Sequence, residues 1–288
     1  MDDVALAEMA GEFWGRPFRL VSRLSGGMNG ITLELDDAGE RRVLKWVPES
    51  DRLSMVRGAH AALEVAARGV RSAPPIAAVA GQLTVSAMGG ELMLMEFLPG
   101  EELTRNDADQ RSMAELLTLI HTSTRREPVE DFFYAAWLRS AIREPLPRWV
   151  ERAVRGALSE YDALPPVRWC VVNGDPSPDE FRGFEGTTGL LDWGSAVHGP
   201  ALYDVATLYM YLGGAPRGDT FLDSYRSADL RSAQDSEHLA ALMRFRGAIQ
   251  AVYFARRIEA GDLTGASAED NHTGLSDART FLEQWGSE

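Results

Sequence analysis

Apolar and polar residues alternate along Ile31-Thr32-Leu33-Glu34-Leu35, the period of a half-buried strand. Asp36-Asp37-Ala38-Gly39 has turn chemistry, and Arg41-Arg42-Val43-Leu44-Lys45-Trp46-Val47 resumes the strand pattern. The two runs read as a hairpin. In all, strands are expected at 18–24, 31–36, 41–47, 82–87 and 91–97. The last is an apolar run, Leu92-Met93-Leu94-Met95-Glu96-Phe97-Leu98, which stops at the turn Pro99-Gly100. A single helix over 51–68, ending at Gly69, interrupts this β-rich portion.

Beyond residue 103 the pattern changes to helices, expected at 108–123, 130–142, 147–163, 200–212, 236–259 and 275–285. Two short apolar runs, 168–172 and 188–193, flank a polar loop and read as a β-hairpin. The chain is therefore an α+β protein with a bilobal expectation. Residues 1–99 form a small β-rich lobe and residues 100–288 a larger, mostly helical one. A hinge at the Pro-Gly turn would leave a cleft, where small-molecule sites tend to occur.

Composition narrows the function classes. The net charge of −14 argues against nucleic acid or an anionic membrane as the main partner and suits a cationic small molecule. No apolar run reaches the length of a membrane span, and the acidic start lacks the features of a signal peptide. The one cysteine, Cys170, precludes an internal disulfide and lies in an apolar strand pattern. These features suit the cytoplasm. The five histidines lack metal-ligand spacing, so no zinc site is expected. A monomer or homodimer is the expected assembly.

Lys45 is the only lysine, against 28 arginines. Arginine does not replace a compact ammonium on a flexible stem that must reach a phosphate. A single retained lysine thus marks a candidate phosphate site. Ser25-Gly26-Gly27-Met28-Asn29-Gly30 precedes its hairpin, and glycines such as Gly26 and Gly27 let backbone N–H groups approach an anion closely.

The densest chemical signal is Val172-Asn173-Gly174-Asp175-Pro176-Ser177-Pro178-Asp179-Glu180-Phe181, followed by Gly189-Leu190-Leu191-Asp192-Trp193-Gly194. Asp175 and Asp192 close two apolar strand patterns. Phosphoryl transfer needs a group to orient the attacking hydroxyl and carboxylates to hold magnesium on the phosphates. A polar hairpin loop with an Asp-Pro turn is the alternative for the same residues.

Taken in order, these segments resemble the aminoglycoside phosphotransferase and choline kinase group, the small-molecule branch of the protein-kinase-like fold. Leu44-Lys45-Trp46 is similar to its phosphate-binding strand and Leu94-Met95-Glu96-Phe97-Leu98 to its hinge. Leu119-Ile120-His121 resembles the end of a core helix, Asn173-Gly174-Asp175 the catalytic loop, and Leu191-Asp192-Trp193-Gly194 the metal-binding strand end. The resemblance implies a kinase using ATP and Mg2+. Asp175 would position the acceptor hydroxyl and Lys45 would hold phosphates under the Gly26-Gly27 loop. Glu96 and Phe97 would meet adenine through their backbone. Asp192 would bind magnesium, and Asp204 would brace the catalytic loop. The implied acceptor is a hydroxyl on an antibiotic such as an aminoglycoside, or on an amine-bearing metabolite.

Three positions depart from that pattern. Asn173 stands where the group has histidine. Glu180 stands where it has a metal-ligating asparagine, and either ligates magnesium or repels the phosphates. Glu64 is the only acid well inside helix 51–68, so it is either the partner of Lys45 or part of a solvated face. These departures leave a second reading, a degenerate kinase-like protein that binds nucleotide or a small ligand for regulation or sequestration.

Overall fold

The computed structural model describes residues 2–24 and 30–285. Gly26 and Gly27 lie outside them. The chain forms two compact units, Met1–Glu102 with Glu180–Ala196, and Leu103–Asp179 with Val197–Glu288.

The first unit opens with α1 (Asp3–Trp14), which the strand and helix expectations omit. Asp2 caps it by accepting from the Val4 N–H, and Gly15 closes it with φ 67°. Its apolar face, Leu6, Ala7, Ala10 and Trp14, has helical spacing and is buried. Then come β1 (Arg19–Leu24), β2 (Ile31–Asp37), β3 (Glu40–Pro48), α2 (Arg52–Ala66), β4 (Val85–Ala87), β5 (Gly90–Glu96) and the short β6 (Glu101–Glu102). The first five strands make one antiparallel sheet in the order β1-β2-β3-β5-β4. α1 packs with Leu33, Leu35, Leu44, Leu92 and Leu94, all 1% exposed or less. Burying one such leucine contributes about 1.5–3 kcal/mol relative to leaving it in water. A second cluster joins Val47 and Met93 of the strands to Met55 and Ala59 of α2. Lys45 is two residues from Val47 and opposite Met93, so the period of β3 puts it on the α2 side.

The second unit contains α3 (Asp107–Ser123), α4 (Phe133–Ala141), α5 (Arg148–Asp162) and β7 (Trp169–Val172). The chain then returns to the first unit for β8 (Phe181–Phe184) and β9 (Thr187–Leu190). It completes the second unit with β10 (Val197–Pro200), α6 (Ala201–Tyr211), α7 (Asp219–Ala228), α8 (Leu230–Asp235), α9 (Leu239–Ala260) and α10 (Ala268–Trp285). α9 packs against α5, α6 and α10. An aromatic cluster of Phe132, Tyr161, Tyr203 and Phe245 fills the space between helices, with Tyr161 and Phe245 centroids 5.0 Å apart. Cys170 is fully buried in β7. No helix among the described residues is long and apolar enough to cross a membrane.

Two expectations need correction. The runs near 168–172 and 188–193 do not pair with each other: β7 pairs with β10, and β9 with β8. Both runs are short and apolar, and such strands carry no local mark of their partner. Glu180–Ala196 also packs with the first unit rather than with the C-terminal lobe assigned to it above. β8 pairs with β6, and the Leu190 N–H donates to the Arg71 carbonyl at 2.9 Å. The second bond satisfies the N–H of Leu190, which is fully buried.

Gly58 is buried on α2 against the Trp193 carbonyl, and a Cβ there would stand 2.3 Å from that oxygen. Gly156 on α5 is exposed with nothing within 4 Å of a Cβ. Gly58→Ala should therefore cost about 1–3 kcal/mol through overpacking, whereas Gly156→Ala should add about 0.4–1 kcal/mol. Urea unfolding of the two variants measures both signs.

Candidate active site

The first unit contains Lys45 and Asp192. The lysine Nζ lies 2.9 Å from Asp192 Oδ1. Asp192 follows β9 and has φ 42°, in the left-handed region that aspartate tolerates because its short side chain bonds locally. Its Oδ1 also accepts from the Gly194 N–H at 3.1 Å. A Cβ at residue 194 would crowd that same oxygen at 3.1 Å, so glycine suits the turn. Burial pushes the Asp192 carboxyl up, but the Lys45 charge, the Lys45 hydrogen bond and the Gly194 N–H together hold it below the usual carboxylate range. Asp192 is thus ionised at neutral pH.

Glu180 ends a 3-10 turn, Pro178–Glu180, and its carbonyl accepts from the Leu191 N–H at 3.0 Å. Its backbone therefore runs beside the residue preceding Asp192. Nucleotide-bound magnesium keeps several waters and takes one or two carboxylates plus phosphate oxygens. An ionised Asp192, with the backbone of Glu180 joined to the residue before it, offers one carboxylate of that donor set. Among the described residues no group of three or more His, Cys, Asp or Glu side chains forms a cage for a metal.

The acid that meets Lys45 is Asp192, and Glu64 is half-buried on α2. Glu96 ends β5 with its side chain exposed, and its N–H donates to the Pro74 carbonyl at 3.1 Å. That amide is committed within the protein. The Phe97 ring carries the Arg41 guanidinium 3.4 Å from its centroid.

The second unit contains Asp175. Its loop leaves β7 at Asn173 and Gly174, whose N–H groups donate to the two oxygens of Asp204 at 2.7 and 2.8 Å. Gly174 takes φ 89°, which glycine adopts without penalty. Asp204, on α6, is fully buried. His121 Nε2 lies 3.4 Å from Asp204 Oδ2, and His121 Nδ1 lies 3.0 Å from the Tyr225 hydroxyl. Asn173 keeps a structural role in place of histidine, because its Oδ1 accepts from the Asp175 N–H at 3.2 Å.

Asp175 itself is held by two residues that lie outside the motifs described above, Arg246 and Tyr211. Arg246 Nη2 donates to Asp175 Oδ1 at 2.7 Å, and the Tyr211 hydroxyl donates to the same oxygen at 2.8 Å. Arg246 is buried, and although burial opposes its charge, Asp175 beside it keeps the guanidinium protonated. Burial pushes the Tyr211 hydroxyl up; Arg246 opposes this and Asp175 adds to it, so the phenol remains a donor. One signal for Arg246 was available. It stands among Leu242, Met243, Phe245 and Ile249, on a stretch whose other neighbours are core residues. A cation at such a position needs a partner.

The fold is shared with solved phosphotransferases. A spectinomycin phosphotransferase crystallised with ADP and spectinomycin superposes with a TM-score of 0.71 at 12% identity, covering 98% of each chain. Amicoumacin kinase crystallised with AMP-PNP, Ca2+ and Ami gives a TM-score of 0.74 at 15% identity, over 99% of this chain and 94% of that one. The choline kinase LicA of Streptococcus pneumoniae gives 0.70 at 16% identity, over 92% and 94%. No curated protein sequence matches the chain. Residues 20–245 match the phosphotransferase enzyme family of the aminoglycoside phosphotransferase type, and with most of its length in that match the chain belongs to this family.

Proposed function

We propose that this protein transfers the γ-phosphoryl group of ATP, with magnesium, to a hydroxyl of a small amine-bearing molecule, an antibiotic or a metabolite. The observation that carries the reading is the contact of its only lysine with Asp192, 147 residues away. A cation and an ionised carboxylate at hydrogen-bond distance are the pair that a nucleotide phosphate and its metal would divide between them. The adenine nucleotides in two of the similar structures support ATP as donor.

In this reading Lys45 binds phosphate oxygens, and Asp192 with Glu180 holds magnesium, which neutralises phosphate charge when bound. Asp175 accepts the hydrogen bond of the acceptor hydroxyl and aims its oxygen. The net charge of −14 supports an acceptor that carries a positive charge. The Glu96 and Phe97 segment is assigned to adenine, with the Glu96 carbonyl rather than its N–H as the polar contact. The glycine-rich loop, with Gly26 and Gly27, is assigned to the phosphates from its sequence alone. Glu64 is assigned to the lysine once phosphate has drawn Lys45 from Asp192.

Thermal unfolding with ATP tests the reading without knowledge of the acceptor. At a hundred times its dissociation constant, Mg·ATP should add about 2.7 kcal/mol of stability. The gain should require magnesium and should be lost in Asp192→Asn. Absence of any shift at millimolar Mg·ATP would sink the proposal and favour ligand binding of another kind.

Lys45→Ala should weaken Mg·ATP binding, measured by calorimetry. Lys45→Arg should not restore it, because a planar guanidinium does not reproduce the ammonium contact. Asp175→Asn should abolish ADP release in the presence of acceptor while Mg·ATP still raises the melting temperature. An Asp175→Asn protein that turns over at the native rate removes Asp175 from the chemistry.

A further inference from the structure

We infer that Arg246 and Tyr211 are positioning residues for phosphoryl transfer, clamping one oxygen of Asp175 so that the other is presented to the acceptor hydroxyl. This rests on the phosphotransferase reading above and assigns it two residues that the motif pattern does not contain.

The geometry is convergent. Arg246 Nη2 and the Tyr211 hydroxyl both donate to Asp175 Oδ1, at 2.7 and 2.8 Å. Arg246 Nη2 also lies 3.2 Å from the Tyr211 hydroxyl, which closes a three-membered network. The donors come from two different helices, α9 and α6, both packed in the core of the second unit. Two donors on one oxygen fix the carboxylate about both of its rotatable bonds. Among the described residues Oδ2 has no hydrogen-bond partner, and the Asp175 side chain is 46% exposed. The carboxylate is thus held at one oxygen and open at the other.

Stability does not explain the arginine. Its side chain is 8% exposed, and among the described residues its buried Nε has no hydrogen-bond partner. A buried ion pair is often no better for stability than well-packed apolar residues of similar volume. An unsatisfied buried N–H makes this one worse in that respect. What the arginine adds is direction. Phosphoryl transfer through a loose transition state depends on positioning more than on covalent chemistry by the protein. A carboxylate free to rotate would spend much of its time aimed away from the reacting hydroxyl. Tyr211, as a donor that burial keeps protonated, supports the same oxygen from the other side.

The test is steady-state ADP release from Mg·ATP, with water and with hydroxyl acceptors, for Arg246→Met, Tyr211→Phe and the native protein. A misaligned catalytic group costs on the order of 10²-fold, so Arg246→Met should lower kcat by about that factor. Tyr211→Phe, which removes one oxygen atom and is expected to fold, should lower kcat by about tenfold. The KM for ATP should stay within about threefold in both, because neither residue binds phosphate. In an Asp175→Asn background, Arg246→Met should cause no further loss, since the arginine acts through Asp175. A merely structural role predicts an additional loss there and a matching fall in melting temperature. An active native protein whose Tyr211→Phe and Arg246→Met variants keep kcat overturns this inference and leaves the phosphotransferase reading standing. A native protein that releases no ADP overturns both.

Discussion

The ion pair between Lys45 and Asp192 is the contact that brings a strand of the first unit's sheet, β3, to the turn after β9. Its members are partly exposed, 19% and 42%, and such pairs contribute about 0–1 kcal/mol. Stability is therefore not the reason for it. The local costs around it are of similar or larger size. Asp192 takes a left-handed backbone conformation, and a buried glycine in α2 gives up about 1 kcal/mol of helix propensity relative to alanine. Both are accepted so that α2 can approach the Trp193 carbonyl and the residue before it can face the lysine. A site whose geometry is maintained at net local cost is one where position matters more than stability.

The second unit uses a different device for the same end. Asp204 is a buried acid whose two oxygens each accept a backbone N–H from the loop before Asp175. The low dielectric around it strengthens those bonds, and leaving either oxygen unpaired would be costly. The loop is thereby tied to α6 rather than to its own strand. Asn173 completes the turn with its side chain, which explains how asparagine serves where the family pattern has histidine. Beyond the loop, α9 and α6 bring Arg246 and Tyr211 onto Asp175. In both units, then, an acid is held from outside its own segment, by Lys45 in one and by Arg246 with Tyr211 in the other.

Glu180 is another departure from the family pattern, and its backbone takes part in the turn region of the first unit. Its carbonyl accepts from the Leu191 N–H, so the segment at residue 180 and the segment leading to Asp192 are joined by a backbone hydrogen bond. That join is made by the backbone and is independent of the side chain at 180.

Much of this protein was determined by local pattern. The alternation over β2 and β3, the turn between them, the apolar run of β5 and the helical stretches of α2, α3, α6 and α9 follow from local runs and periods of apolar residues, which act within a few residues. The isolated lysine and the two aspartates that close apolar strands were likewise visible as residues. The tertiary structure decided how these pieces were joined. Nothing in 168–172 or 188–193 distinguishes β10 from β9 as a partner, because short apolar strands pair almost equally well and only the surrounding packing separates the choices. The partner of Lys45 lies 147 residues along the chain, and the two donors to Asp175 lie 36 and 71 residues along it. Interactions at that separation depend on which helices and strands become neighbours, and this is set by filling the core rather than by any residue's local preference.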